Sequence, residues 1–388
     1  MTSFSKIKNQ TNNKVQIIYE NRKFSKTNIV FILSSLGLVG CGGGGTDNST
    51  NTNINLPSSG NLSLLTGSVV KGPLNNALVF ADYNGDGKLS PNEPSTRTSA
   101  DGSFSLQSAI PSAGFVAIAD ESTTDTFTNS PITGVTLKAP AGATVVTPAT
   151  TLFVEVKEKN PEIKTTELAS ALGLEDINIL EFNPFSSGVD PEKALTAEKV
   201  SSQIITTLTS ISAAGEGAGA SQEVAYEKAL EAVTSVVSAK IQSNVSDDSS
   251  AINNNNETKN IDFSDNSLLS EVSIAAKNEL SSVVVSEDAL NKVLDDSVGA
   301  IKNVNQKIDT ATNLTDKESV AAFTVTSELK EQVKVAAKSE LQNPGSSKIE
   351  FSDIEVVETT IITNTPNVVI TDFAKLSEDI KSSEDNDV

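Results

Sequence analysis

Histidine and tryptophan are absent from the 388 residues, and cysteine and methionine occur once each. Without histidine, the Ser-His-Asp and Cys-His nucleophile systems and imidazole-ligated metal sites are excluded together. The single cysteine, Cys41, rules out an intrachain disulfide, so the fold must rest on burial and on any bound cation. Aromatic residues make up 4% of the chain, too few for a broad aromatic sugar-binding platform. There is no G-x-S-x-G, P-loop or dinucleotide fingerprint, and the glycine run at 42–45 lacks the strand before and helix after it that would cradle a phosphate. Basic groups are scarce as well: 29 lysines and arginines face 50 acids, a net charge of −21, which argues against nucleic acid as a partner. Adjacent acids such as Asp295-Asp296, Asp247-Asp248 and Glu378-Asp379 read as solvated surface, because neighbours on a helix do not face one another. The chain is not expected to be an enzyme.

What is present is concentrated in twelve residues, Asp82-Tyr83-Asn84-Gly85-Asp86-Gly87-Lys88-Leu89-Ser90-Pro91-Asn92-Glu93. They fill every specified position of the calcium-loop pattern D-x-D/N-x-D/N-G with a glutamate six places after the glycine. Calcium takes hard oxygens, and the loop offers them in order: Asp82, Asn84, Asp86, the Lys88 carbonyl, Ser90 and bidentate Glu93, with Gly87 at the tight turn. A helix–loop–helix calcium site needs a helix on each side, and neither flank supplies one. Residues 77–81 are short, apolar and β-favouring after the turn residues Asn75-Asn76. Pro91 and Pro94 bracket Glu93 and push the preceding residues out of the helical region. The loop is therefore expected to connect or decorate strands.

The second informative stretch is Leu38-Val39-Gly40-Cys41, which ends the apolar run at 29–40. Before it stand Lys6, Lys8, Lys14, Arg22, Lys23 and Lys26 against one acid, Glu20. A charged segment, a short apolar segment and small residues before a cut site make a secretion signal, and the apolar run is too short to span a bilayer. The tetrapeptide resembles the lipobox of bacterial lipoproteins, and that resemblance implies that Cys41 becomes the lipidated first residue of the mature chain. It implies a bacterial cell envelope location, lipid-anchored at the outer membrane and facing the periplasm or cell surface. Loss of 1–40 removes six basic groups and one acid, which takes the net charge from −21 to −26.

The chain then divides by composition. Residues 1–40 are the signal and 41–61, rich in Gly, Asn, Thr and Ser, a flexible tether. Residues 62–140 carry short apolar runs at 62–70, 77–81, 103–106, 114–119 and 133–138 between turn signals such as Gly72-Pro73 and Asp101-Gly102, the pattern of an all-β domain. The stretch from Gly67 to Leu106, with its calcium loop and the turn Thr98-Ser99-Ala100-Asp101-Gly102-Ser103-Phe104, resembles bacterial surface domains of the carboxypeptidase-regulatory-like or SdrD-B-like type. That resemblance implies a transthyretin-like or immunoglobulin-like β-sandwich that binds Ca2+. It leaves the partner open.

Residues 141–243 read as a helical region. Thr147 caps a helix that begins at Pro148, with Leu152, Phe153 and Val156 on its apolar face. Residues 145–156 also resemble, over a short span, a segment that follows such β-domains in envelope proteins. A short helix starts at Thr166 and stops at Gly173. Helices at 197–214 and 221–242 carry apolar residues at spacings of three and four, and Gly215, Gly217 and Gly219 are expected to end the first and turn the chain into an antiparallel pair. Residues 243–260, with four consecutive asparagines, suggest a linker, bounded as 244–262 between the helical regions. A second helical region at 263–343 holds helices at 268–280, 286–308 and 315–341, and residues 344–388 combine β-favouring runs with an acidic tail. The expected fold class is multidomain α+β, a small N-terminal β-sandwich followed by a mostly α-helical region. The function these features suggest is that of a lipid-anchored, calcium-binding envelope protein serving adhesion, interaction or spacing, with the membrane and an extracellular protein or glycan as partners. The alternative is a glycan-binding or polysaccharide-processing lipoprotein with a structural calcium.

Overall fold

The computed structural model describes residues 62–247 and 260–349. Cys41, the stretch expected to be a tether, most of the asparagine-rich stretch and the β-favouring runs beyond 349 lie outside the described residues. Among those described, ten strands precede seven helices, so the chain is mixed, with a small β region followed by a larger helical one.

The strands are β1 (Ser63–Val69), β2 (Leu74–Asn75), β3 (Leu78–Asp82), β4 (Ser95–Arg97), β5 (Ser103–Ser108), β6 (Gly114–Ala119), β7 (Thr124–Asp125), β8 (Ser130–Pro131), β9 (Val135–Ala139) and β10 (Val145–Val146). They form three sheets, ordered β10-β1-β5, β2-β7-β8 and β4-β3-β6-β9. All pairings are antiparallel except β1 with β10. Period-two alternation does the sorting on β5, where Phe104 and Leu106 are buried and Ser105 and Gln107 exposed, and on β9, where Val135, Leu137 and Ala139 are buried. Phe104 of β5 meets Phe115 of β6 edge-on, with centroids 5.0 Å apart, and so joins the two larger sheets. The turn at Asp101-Gly102 requires its glycine: φ is +77°, and a Cβ there would stand 2.5 Å from the Val69 carbonyl oxygen. The β region extends past 140, because β10 pairs beside β1.

The helices are α1 (Pro148–Lys159), α2 (Thr165–Ala171), α3 (Pro191–Gly217), α4 (Gln222–Asp247), α5 (Asn266–Leu280), α6 (Glu287–Asp309) and α7 (Lys317–Gln342). Thr147 caps α1 as its sequence suggests: its hydroxyl accepts from Thr150 N, while Thr150 Oγ1 accepts from Thr147 N. The same turn is bound to the sheet, since Lys138 N donates to Thr151 Oγ1 at 2.9 Å and Thr150 Oγ1 donates to the Lys138 carbonyl at 2.8 Å. Asp190, Asp265, Ser286 and Asp316 cap α3, α5, α6 and α7 with side-chain oxygens.

α3 is the central helix, with α4, α6 and α7 packed around it. Two expectations are corrected here. Gly215 does not end α3 but lies inside it, while Gly217 is its last residue, and both allow close packing. A Cβ on Gly217 would sit 2.5 Å from the Lys334 carbonyl oxygen of α7, and one on Gly215 would sit 2.9 Å from Leu280 of α5. The stop comes at Gly219, whose φ is +111°. Likewise α4 runs on through Ser243 to Asp247, a stretch that was expected to begin the linker. It contains neither glycine nor proline, so nothing in it breaks the helix.

One apolar core is continuous from Val69 in β1 to Ala337 in α7. At the junction Phe127, after β7, packs against Phe185 and Phe323 with centroids 5.1 Å and 5.3 Å away. Beside it lies a polar contact. Glu198 of α3 is fully buried and accepts from Gly72 N through both carboxylate oxygens, at 3.1 Å and 3.2 Å, and from the Ser202 hydroxyl at 3.1 Å. Lys71 Nζ donates to Asp125 Oδ2 at 3.1 Å, and both side chains are buried. Burial pushes the Glu198 carboxyl from its ordinary 4.5 up to about 7; the Lys71 charge pulls it down and the Asp125 charge adds to the rise.

A raised carboxyl means that the folded chain binds this proton more tightly than the unfolded chain does. The contribution is therefore fully present below pH 4.5 and is lost as the pH climbs through about 7. It amounts to on the order of 3 kcal/mol. Glu198→Gln, which keeps an acceptor for Gly72 N, is expected to flatten this part of the pH dependence. Urea unfolding midpoints at about pH 5 and about pH 8, in parent and variant, measure it.

Candidate metal-binding loop

The calcium pattern occupies the connection between β3 and β4. These strands pair with Leu78 opposite Arg97 and Phe80 opposite Ser95, and Ala81 N reaches the Pro94 carbonyl at 3.1 Å just beyond the last pair. Both flanks are thus strands, as the prolines and the apolar run indicate. A loop this long between adjacent strands is ordered by its own short polar side chains.

Asp82, the last residue of β3, accepts from Gly85 N at 2.7 Å on Oδ1 and from Gly87 N at 2.9 Å on Oδ2. Asn84 Oδ1 accepts from Asp86 N at 3.0 Å, and Asp86 Oδ1 accepts from Lys88 N at 2.8 Å. These successive side-chain turns wind the backbone, and Gly85 and Gly87, with φ of +75° and +72°, take the left-handed positions between them. At the far end Glu93 folds back over the loop: Oε1 accepts from Tyr83 N at 2.8 Å and Oε2 from Ser90 N at 2.7 Å, while Glu93 N donates to the Ser90 carbonyl at 3.0 Å. Glu93 is buried, 8% exposed, whereas Asn84, Gly85, Asp86, Lys88 and Leu89 are open to solvent.

The six predicted positions, Asp82, Asn84, Asp86, Lys88, Ser90 and Glu93, are therefore gathered in one wound loop, with Asp82 and Glu93 as its inner supports. Their acids are not drawn into a cage. Asn84 Nδ2 donates to Asp86 Oδ2 at 2.8 Å, and among the described residues no group of three or more His, Cys, Asp or Glu side chains converges as a metal holder. The donor set suits calcium in type: all its atoms are oxygens, and each carboxylate oxygen that accepts one N–H keeps a further lone pair.

Two supports escape a reading of the sequence. The Tyr83 hydroxyl lies 3.0 Å from the Ser108 hydroxyl and accepts from Ala109 N at 2.9 Å, so the second loop residue is pinned to the end of β5. Lys138 of β9 lays its side chain beside Gly87 and pairs with Glu155 of α1 at 2.7 Å. Burial pulls the Lys138 ammonium down, but the hydrogen bond and charge of Glu155, with smaller help from Glu158 and Asp82, carry it above its ordinary value. Tyr83 sits within the motif and its partner could not be read; Lys138 lies 45 positions beyond Glu93 with no local signal. On the outer side Lys88 and Glu223 make an exposed pair at 3.4 Å that contributes little.

No protein-family model matches the chain, and neither a curated protein nor a solved structure matches it. Among the described residues no helix is long and apolar enough to cross a membrane.

Because Glu93 holds two backbone N–H groups, its role in the loop does not depend on a metal. Glu93→Ala leaves both donors without their acceptor, at a cost of about 2 kcal/mol. A fall of a few degrees in the thermal midpoint is expected with chelator present, and differential scanning calorimetry in chelator checks it.

Proposed function

We propose that this is a lipid-anchored, calcium-binding protein of the bacterial cell envelope, in which a small β-sandwich module carries the calcium loop and the helical part is displayed with it. Its role is adhesion, interaction or spacing rather than catalysis. The observation that carries the calcium reading is the wound state of the β3–β4 loop, with Asp82 and Glu93 already fixed by backbone N–H groups and every motif position occupied. In this reading Asp82, Asn84, Asp86, the Lys88 carbonyl, Ser90 and Glu93 hold the ion, which ties the loop across the β3–β4 pair. The anchor reading rests on Leu38-Val39-Gly40-Cys41 and the basic segment before it. Separate domains are suggested by the composition shifts near 140 and 244; the continuous core argues that the β region and the helices act together.

The test of the calcium reading is thermal unfolding of residues 42–388 in calcium and in chelator. An extracellular-type site has a dissociation constant of about 10⁻⁴ to 10⁻³ M. At about 10 mM calcium it stabilises the fold by about 1 to 3 kcal/mol, an upward shift of several degrees. Asp86→Ala, which also removes the acceptor for Lys88 N, is expected to lower the midpoint in chelator slightly and to lose the calcium response; an unaltered response places the ion elsewhere. For the anchor, Cys41→Ala is expected to abolish incorporation of a labelled fatty acid, and continued labelling overturns the assignment.

A further inference from the structure

We infer that Lys138 of β9 is a tethered cation that competes with the metal for the β3–β4 loop, and that Glu155 of α1 sets the loop's calcium affinity by holding that lysine off it, a role that rests on the calcium reading above. Phe80, Val116 and Lys138 lie opposite one another across β3, β6 and β9, so their side chains share one face of the sheet. Phe80 and Val116 are buried there, and the row ends in a lysine whose side chain is only 26% exposed. Its main chain is fixed to the first turn of α1: Lys138 N donates to Thr151 Oγ1 at 2.9 Å, and the Lys138 carbonyl accepts from Thr150 Oγ1 at 2.8 Å. Only the side chain is left to adjust.

That side chain ends at the loop. A Cβ built on Gly87 would stand 3.4 Å from Lys138 Cε and 3.5 Å from Nζ. Gly87 is the tight-turn residue between the ligand positions Asp86 and Lys88, and its N–H donates to Asp82 Oδ2 at 2.9 Å. An ammonium is thus placed beside a loop that carries three carboxylates, Asp82, Asp86 and Glu93, and the Asp82 charge is among those that favour the charged lysine. The loop's own lysine does not take this place, since Lys88 Nζ pairs outward with the exposed Glu223.

On the other side stands Glu155, whose Oε1 accepts from Lys138 Nζ at 2.7 Å and whose side chain is 12% exposed. One flexible stem therefore carries its charge between two sets of acceptors, Glu155 on α1 and the carboxylates of the loop. A divalent ion in the loop repels the ammonium, and the pair with Glu155 is where it is held. Without Glu155 the lysine turns to the loop carboxylates, and the ion has to displace it. Calcium affinity is in this way linked to α1, and charge fixes the sign of the link: removing Lys138 tightens binding and removing Glu155 weakens it. Were the pair only a packing contact, losing either member would weaken binding.

Calorimetric titration with calcium decides it, on residues 42–388 as parent, Lys138→Met, Glu155→Gln and the double variant. Lys138→Met is expected to bind about tenfold more tightly than the parent, and Glu155→Gln about tenfold more weakly. Once Met stands at 138, Glu155→Gln is expected to cost less than about threefold, because no lysine remains to be released. Circular dichroism in chelator checks that each variant folds. Should Lys138→Met unfold, Lys138→Gln, which keeps an N–H donor for Glu155 and removes the charge, takes its place with the same expectation. A parent that binds, with the Lys138 variant equal to it or weaker, overturns the role of Lys138 and leaves the calcium loop standing. An equal loss on Glu155→Gln with and without Lys138 overturns the role of Glu155. No binding by the parent but binding by the Lys138 variant supports the competition; no binding by any of the four overturns the calcium reading and the competition together.

Discussion

The contact on which the architecture turns is the one between the Glu198 carboxylate and the Gly72 amide. A carboxyl taken wholly out of water is tolerated only where donors replace its hydration. Here those donors come from the β1–β2 turn and from the helix's own Ser202. The requirement fixes the turn against α3, and through Lys71 and Asp125 it brings the small β2-β7-β8 sheet into the same corner. Phe127, Phe185 and Phe323 then fill the apolar space beside it. Short strands that would be marginal alone are thereby completed by helices.

The scarcity of aromatic residues has a structural counterpart in the helices. α3 buries Ser201, Ser202, Thr206, Thr207, Thr209, Ser210 and Ser212 along with its isoleucines and leucine. The hydroxyls of Thr206, Thr207 and Thr209 return their protons to carbonyls one turn back, at 2.7 to 2.9 Å, so they can be buried without a distant partner. Small side chains and Gly217 let α7 approach closely, and close approach substitutes dispersion contact for the bulk that rings would have supplied. Thr206 and Thr326 share a hydrogen bond of 2.8 Å across that contact.

What could be read from the chain was local. The calcium pattern, the strand at Leu78, the Thr147-Pro148 helix start and the Ser286 cap are each signalled within a few residues, and each lies where its neighbours place it. What could not be read depends on partners far away in sequence. Gly215 looks like a helix stop until α5 is packed against it, and nothing near Gly217 signals that α7 closes on it. Lys71, Asp125 and Glu198 are unremarkable charges in a chain full of charges, and only the fold makes them neighbours. Lys138 belongs to the same group: its place beside Gly87 follows from β9 joining the sheet next to β6. Residues 1–61, with Cys41, stand outside the described residues.

The central position of α3 also sets an order of events. The Glu198 contact closes 126 residues of chain, the Thr206–Thr326 contact 120, and Lys330 of α7 reaches the Thr133 carbonyl across 197. Contacts of such separation are slow to form, because the entropy of closing the intervening chain is lost before any burial rewards it. A chain emerging from its N-terminus therefore presents the β region long before the helices that complete it exist. Until α3 arrives the Gly72 amide is unmet, and until α7 arrives the apolar face around Phe127 remains open to water or to other chains, so the interval between the first strand and the last helix is the one in which this protein is most exposed to aggregation.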